Sequence, residues 1–371
     1  MKSRRVGVIF GGRSGEHEVS LASAASVIAA LQKRGHSVVP IGIARDGHWV
    51  VGGDPMKALS DESRRALSAG DATGSVKKAL ADRADSRSVG STAVARTEPA
   101  GGFPAELTRA LDAVVVMLHG PRGEDGTIQG LLELADVPYT GAGVLASAVG
   151  MDKAMMKTVF RAHGLPVVDE VVVTRREWQT NPAVVRARVA EVTGFPCFVK
   201  PVNLGSSVGI SKARNPDELP AAMDEAARHD RKIIVERAIA SPREIEVSVL
   251  GNDAPEASLP GEIVYTSEWY DYETKYAEGQ ASVVCPAPIS PALTARVRAL
   301  AIEAFRAIDC AGMARVDFFL DDDERVWLNE INTIPGFTST SGYAKMWEAT
   351  GLDYGTLIDR LVELALERHA E

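Results

Sequence analysis

Residues 315–332 leave few folding choices. Arg315-Val316-Asp317-Phe318-Phe319-Leu320 and Arg325-Val326-Trp327-Leu328-Asn329-Glu330-Ile331-Asn332 are two runs rich in β-forming residues, separated by an acidic tetrapeptide, Asp321 to Glu324. The pattern predicts an antiparallel hairpin closed by a polar loop. A four-residue loop sets Arg315 across from Glu330 and Asp317 across from Leu328, and residues directly opposite share a face. Arg315, Asp317, Glu330 and Asn332 then crowd one side. Two carboxylates and an amide oxygen form a hard-oxygen set of the kind that holds Mg²⁺ beside nucleotide phosphates. A solvated acidic hairpin with a surface ion pair would use the same residue types. The hydroxyl-rich run that follows, Thr333 to Gly342, favours the first reading, because it places a substrate-holding loop directly after the acidic strand.

A chain of 371 residues is long enough for two or three domains. With 45% hydrophobic and 25% charged residues it has an ordinary globular composition, and a net charge of −9 gives no overall cationic surface for nucleic acid or anionic lipid. Cys197, Cys285 and Cys310 are odd in number and widely spaced, which argues against a disulfide framework and for small buried apolar groups. The apolar run Val6 to Phe10 is too short for a signal peptide, and no stretch reaches membrane-spanning length, so a cytoplasmic location is expected.

Strand Val6–Phe10, a glycine turn from Gly11, an Ala-rich helix to about Leu31, strand Val38–Ile43, strand Ala113–Leu118 and a helix near Ile128–Leu134 alternate as in a parallel sheet flanked by helices. Residues from about 54 to 102 have weak periodicity and read as an insertion, partly helical. One helical stretch is expected from near Ala146 through Lys153 to His163, with Gly164 as its C-cap. Strands at 167–174, 198–201 and 233–236 and a helix from about Asp217 make a small α+β unit. The last part has an alternating strand, Glu244 to Leu250, a polar excursion from Ser267 to Gln280, and a helix with a core stripe of Leu293, Val297, Leu300, Ala304 and Ile308. An amphipathic helix from Tyr354 closes the chain.

Gly205-Ser206-Ser207-Val208-Gly209 lacks the Walker lysine spacing, yet its backbone N–H groups could close over a polyphosphate; a surface turn is the competing reading. Lys153 and Lys200 could supply point charges. Strand Lys232 to Ile239 leads towards Glu244, a crossover suited to a nucleotide base or simply to a connector. Trp269 to Tyr276 packs aromatic and charged groups into a long loop, which reads as a lid or an interface.

These segments together resemble the D-alanine–D-alanine ligase family of the ATP-grasp superfamily over nearly the whole chain outside residues 54–102. The matching elements are Gly11 to Ser20, His119-Gly120, Gly123 to Thr127, Pro138 to Gly141, Met151-Asp152-Lys153, Lys200-Pro201, Gly205 to Gly209, Arg243 to Val247, Tyr270 to Tyr276 and Asn329 to Thr338. The resemblance implies an α/β fold of three domains: an N-terminal parallel-sheet domain (1–143), and α+β central (144–239) and C-terminal (240–371) ATP-grasp domains with a lid at about 267–288. It also implies ATP as co-substrate, two Mg²⁺ ions for which Mn²⁺ can substitute, D-alanine as substrate, and a homodimer, with no nucleic-acid or membrane partner.

Carried over residue by residue, the resemblance makes Asp317, Glu330 and Asn332 metal ligands and Lys153 and Lys200 phosphate-binding lysines. Glu236, the Ala238 and Ile239 backbone, and Glu244 would hold adenosine, with Ser206, Ser207 and Asn329 also on the ATP side. Glu16 would meet the first ammonium and join Ser206 and Tyr276 in a hydrogen-bonded set. Lys275 would face the transferred phosphate, His119 the substrate and Ser341 the second carboxylate; Arg315 would stabilise the oxyanion. Tyr276 is the residue type that goes with a dipeptide product rather than a D-lactate ester. One departure is Gly342-Tyr343-Ala344, where the family has a larger apolar residue followed by Tyr-Pro, which bears on the second-substrate pocket; Pro121 is a smaller loop variation. Alternatives are a D-Ala-D-lactate, D-Ala-D-Ser or other ATP-grasp carboxylate–amine ligase, or a binding protein that has lost catalysis. A nicotinamide dehydrogenase is disfavoured, because Gly11 to Glu16 lacks the Gly-x-Gly-x-x-Gly spacing.

Overall fold

The computed structural model describes residues 2–68, 95–96, 103–205, 208–265 and 281–370. The first sheet contains β1 (Arg5–Gly11), β2 (Ser37–Ile43), β3 (Trp49–Val51), β4 (Ala95–Arg96) and β5 (Ala113–Val116), in the order β4-β3-β2-β1-β5. β1 runs parallel to both β2 and β5. Its continuous apolar run is fully buried, as expected of a strand covered on both faces. β3 and β4 add an antiparallel edge that the βαβ pattern does not foresee.

The expected insertion at 54–102 is in part integral. Helix Pro55–Ser68 lies within it, and Leu59 is buried in the core beside β2. Phe103 packs edge-on against Trp49, with ring centroids 5.9 Å apart.

The second sheet is antiparallel throughout, in the order β6-β9-β7-β8, with β6 (Glu170–Thr174), β7 (Cys197–Pro201), β8 (Ser211–Ala213) and β9 (Lys232–Arg237). The third sheet holds β10 (Arg243–Gly251), β11 (Glu256–Ala257), β12 (Gly261–Tyr265), β13 (Ala281–Val284), β14 (Gly312–Leu320) and β15 (Val326–Asn332). Its order is β13-β12-β10-β14-β15, with β11 pairing to β10. The stripe of Leu293, Val297, Ala301, Ala304, Phe305 and Ile308 is core against this sheet, as its spacing predicts.

The single helix expected from Ala146 to His163 is two helices, Val144–Met151 and Lys153–Ala162. Asp152 breaks them, with extended backbone at φ −85° and ψ 94°. Its carboxylate accepts from Met155 N at 3.0 Å and pairs with Lys232. Aspartate competes for backbone N–H groups and so favours a cap over a helix interior. The break re-aims Lys153 and, one turn later, Lys157.

The closing helix, Tyr354–His369, packs Leu357, Ile358, Leu361 and Leu364 into the core of the first sheet. A polar clamp fixes it there. Asp359, with a side chain 1% exposed, accepts from His36 Nε2 at 2.9 Å and Arg34 Nε at 2.5 Å. His36 Nδ1 accepts from Arg4 N, so the ring proton sits on Nε2, facing the carboxylate. Asp359→Ala leaves that buried N–H without its acceptor and is expected to cost about 2–4 kcal/mol of stability. Urea unfolding checks this; a loss within experimental error would remove the clamp's importance. Among the described residues no helix is long and apolar enough to cross a membrane.

Candidate active site

Three loops converge on Glu16. Ser14, in the turn after β1, donates its hydroxyl to His119 O at 2.7 Å and accepts from Glu16 N at 3.2 Å. Gly120 has φ +73°, which favours glycine, and a Cβ there would stand 2.7 Å from Glu16 Oε2 and push the carboxylate from its place. Gly205, at the start of the glycine-rich loop, approaches the same oxygen, with an added Cβ at 3.6 Å.

His119 is buried between these loops and the segment after β15. Its Nδ1 donates to Ile334 O at 3.0 Å, and its Nε2 lies 3.2 Å from Ser23 Oγ, which also accepts from Phe337 N. Burial opposes the charged ring, but Glu124, 3.7 Å away, and Glu16 outweigh it and raise the His119 pKa above the ordinary value. His119 thereby ties helix His17–Lys33 to the 333–337 segment that borders the cavity.

The β14–β15 hairpin keeps the expected face but not the expected register. Leu320 pairs with Val326, so Arg325 joins the loop, and a bulge between Asp317 and Phe318 leaves Asn329 as the extra residue. Each irregularity shifts pairing by one residue. Together they shift it by two, and side chains alternate with period two, so the face is restored. Asp317 stands directly opposite Glu330, and Arg315 opposite Asn332.

Arg315 grips Asp317 through two bonds, Nε to Oδ1 at 2.7 Å and Nη2 to Oδ2 at 2.6 Å. Its Nε also lies 3.1 Å from Glu246 Oε1 on the neighbouring strand. Lys153 bridges the two halves of the site: Nζ donates to Leu204 O at 2.9 Å and lies 3.6 Å from Glu330. Asn332 Oδ1 accepts from Ile334 N at 2.9 Å.

Glu16, His119, Lys153, Arg315, Glu330, Asn332 and Ser341 line one cavity of about 310 Å³, at the small end of ligand sites. Ser341 precedes helix Gly342–Thr350, and its hydroxyl donates to Thr338 O at 2.8 Å. Helix N-termini favour anions. Gly342 makes room for the Glu246 side chain, since a Cβ there would stand 3.0 Å from Glu246 Oε2. The departure from the family pattern at 342 thus has a local physical correlate.

Lys200, Glu236 and Glu244 lie outside that cavity lining. Glu236 is buried, with Lys200 Nζ 2.6 Å from Oε2 and Lys157 Nζ 3.0 Å from Oε1. Burial pushes the Glu236 pKa up, but the two ammonium groups outweigh it and hold the carboxyl at about 2. Burial likewise opposes the Lys200 charge, and Glu236, Glu330 and Glu244 raise its pKa in spite of it. Ala238 N donates to Pro196 O at 3.1 Å, so that amide is engaged within the fold. Ser206, Ser207, Lys275, Tyr276 and the rest of residues 267–280 lie outside the described residues, while 281–288 of the expected lid are described and begin with strand Ala281–Val284.

Folding depresses the Glu236 pKa from 4.5 to about 2. The stabilisation is therefore present above the ordinary carboxylate pKa and is lost as pH falls towards about 2. Over that window the unfolding free energy is expected to fall by up to about 3 kcal/mol on this account. Urea titrations at several acidic pH values should give a smaller slope for Glu236→Gln than for the unaltered chain; equal slopes would contradict this account.

Two site residues escape sequence reasoning. Glu246 shares the face of Glu244 by simple alternation along β10, and its partner position, Asp317, follows only from the register. Lys157 lies four residues after Lys153 on one helix face, the only hint available. The cysteines hold no such role. Cys197 and Cys310 are buried and Cys285 is half-buried; all three are free, and burial raises each pKa, that of Cys197 to about 11.

A parallel-sheet unit followed by two antiparallel α+β units, with lysines of one facing carboxylates of the other, is the arrangement of an ATP-grasp fold. Family models described as "D-ala D-ala ligase N-terminus" and "D-ala D-ala ligase C-terminus" match residues 5–142 and 159–363. The chain belongs to the D-alanine–D-alanine ligase family. It is 49% identical to a D-alanine--D-alanine ligase of Deinococcus radiodurans, covering 98% of this chain and 99% of the relative. A D-alanine--D-alanine ligase of Heliobacterium modesticaldum is 48% identical, with 100% and 97% covered. The solved D-alanine-D-alanine ligase of Coxiella burnetii superposes with a TM-score of 0.76 at 37% identity, over 99% of this chain and 96% of that one. The VanG D-Ala:D-Ser ligase of Enterococcus faecalis superposes with a TM-score of 0.76 at 30% identity, over 98% and 100%.

Proposed function

We propose that this protein joins two molecules of D-alanine into D-alanyl-D-alanine at the expense of ATP, releasing ADP and phosphate and supplying peptidoglycan precursor synthesis. The observation that carries the reading is one small cavity in which Glu16, Arg315 and Ser341 surround the space beside the Lys153–Glu330 pair. The names of the full-length relatives agree with it.

A carboxylate oxygen is a poor leaving group. An oxygen of the first D-alanine therefore attacks the γ-phosphorus, ADP departs, and the resulting acyl phosphate is an activated acyl donor. Glu16 receives the ammonium of that substrate. The amine of the second D-alanine attacks the carbonyl carbon, the tetrahedral intermediate collapses and phosphate leaves. Arg315 faces the oxyanion, while Ser341 and the helix N-terminus behind it hold the second carboxylate. His119, bonded to Ile334 O and beside Ser23, positions the segment that leads to Ser341 and borders the substrate.

Lys153 and Lys200 serve the phosphates with Ser206, Ser207 and Lys275. Glu236 and Glu244 hold adenosine with the Ala238 carbonyl and the Ile239 amide, and Asn329 lies on the same side. Asp317, Glu330 and Asn332, two carboxylates and an amide oxygen, would hold Mg²⁺ by donor chemistry, with Arg315 giving up its hold on Asp317. When bound, Mg²⁺ neutralises charge on the transferred phosphoryl group. Tyr276 and the lid keep water from the acyl phosphate. The three-domain division at 143 and 239, a second Mg²⁺, use of Mn²⁺, the homodimer and a cytoplasmic location belong to the same reading.

The test is phosphate release from ATP and Mg²⁺ with D-alanine, with L-alanine as control and the product identified by mass. Release that depends on D-alanine, with a dipeptide product, sustains the proposal. Release only with other amino or hydroxy acids would keep the mechanism and discard the substrate. Tyr276→Phe is expected to raise the ester-to-dipeptide ratio when D-alanine and D-lactate are supplied together at neutral pH; an unaltered ratio would count against the Glu16–Ser206–Tyr276 set.

A further inference from the structure

Lys157 has no part in the chemistry above, yet it is one of the most deeply buried charged groups among the described residues. Its side chain is 1% exposed, on a helix whose Met156 and Phe160 are core. Lysine is almost never buried unless it is paired. The pairing here is lopsided: Glu236, 4% exposed, serves two ammonium groups, Lys157 at Oε1 and Lys200 at Oε2. Both contacts are ion pairs, Lys200 at 2.6 Å and Lys157 at 3.0 Å, and the Lys157 Nζ and Glu236 Oε1 atoms have no hydrogen-bond partner. One carboxylate against two cations leaves an excess positive charge out of water, which is unfavourable in isolation. Glu330 and Glu244 act on Lys200 from the facing sheet.

On the ligase reading, on which this inference rests, Lys200 has to serve nucleotide phosphates, but here Glu236 holds it. Were Lys200 the sole counter-ion, its departure would strand a buried carboxylate, and it would stay. Lys157 removes that obstacle, because it lies against the same carboxylate and is fixed by the helix around it. We propose that Lys157 is a positioning residue acting through Glu236: a stationary counter-ion that lets Lys200 exchange from Glu236 to the phosphate oxygens of the nucleotide. The second cation at Glu236 is thus a device for releasing the first, and the excess charge is balanced when phosphate arrives.

The test is calorimetric titration of ADP with Mg²⁺ into the unaltered chain, Lys157→Met, Glu236→Gln and the double variant, with folding checked by circular dichroism. Lys157→Met is expected to weaken ADP by about tenfold or more, because Glu236 then retains Lys200. With Glu236 already Gln there is no carboxylate to strand, and Lys157→Met is expected to change affinity by about threefold or less. A merely structural lysine would weaken binding alike in both backgrounds. Equal losses, or no loss in Lys157→Met, overturn the proposal. If Lys157→Met alone does not fold, Glu236→Gln against the double variant decides: near equality sustains the proposal and a tenfold loss overturns it. Failure of the unaltered chain to bind ADP would overturn the ligase reading and this inference with it.

Discussion

Glu330→Gln is expected to lower turnover by about a hundredfold or more, with the fold intact and the Mg²⁺ requirement raised. Glu330 stands directly opposite Asp317 on the paired strand and lines the cavity, while Arg315 holds both Asp317 oxygens. The substitution keeps volume and strand geometry and removes one of the two negative charges available to a divalent cation. Lys153 loses a neighbour at 3.6 Å but keeps its bond to Leu204 O, so the glycine-rich loop remains anchored. The first-substrate carboxylate Glu16 belongs to another loop cluster, which predicts a small change in KM for D-alanine beside a large one in kcat. Steady-state kinetics across a Mg²⁺ titration measures both. Full activity at saturating Mg²⁺ would refute the metal assignment.

The hairpin behind that prediction illustrates what the sequence discloses. Alternation makes the shared face of Arg315, Asp317, Glu330 and Asn332 readable, because a side chain's face depends on the parity of the register. The register itself is not readable: a longer loop and a bulge at Asn329 each shift it by one residue, and only their combination preserves the face. The helix break at Asp152 follows from local capping that competes with an otherwise helical pattern. Helix Pro55–Ser68 agrees with a partly helical insertion, but its weak periodicity does not disclose that Leu59 joins the core. Pairings across distant segments are the least accessible. The Asp359–His36 clamp, the Lys157–Glu236–Lys200 cluster and the Glu246–Arg315 contact join residues on different elements, and nothing local in the chain specifies them. The ligand groups recur in recognisable motifs, but their supporting partners are set by how the three sheets meet.

Arg315→Met is expected to cost about 3–4 kcal/mol in kcat, a hundredfold to a thousandfold, by removing the donor proposed for the developing oxyanion. Arg315→Lys should recover little of it, because a point charge cannot reproduce the fork that now spans Asp317 and Glu246. The two variants also separate the oxyanion role from the metal role. In the unaltered chain the guanidinium occupies both Asp317 oxygens, so a metal ion has to compete with it for that carboxylate. Without Arg315, Asp317 and Glu246 are left as neighbouring carboxylates on paired strands, and their mutual repulsion favours any cation that enters between them. Arg315→Met should therefore lose turnover while needing less Mg²⁺, the opposite of the shift expected for Glu330→Gln. A Mg²⁺ titration of the two proteins side by side decides the matter. A raised requirement in both would make Arg315 part of the metal hold, and would move the oxyanion contact to another donor.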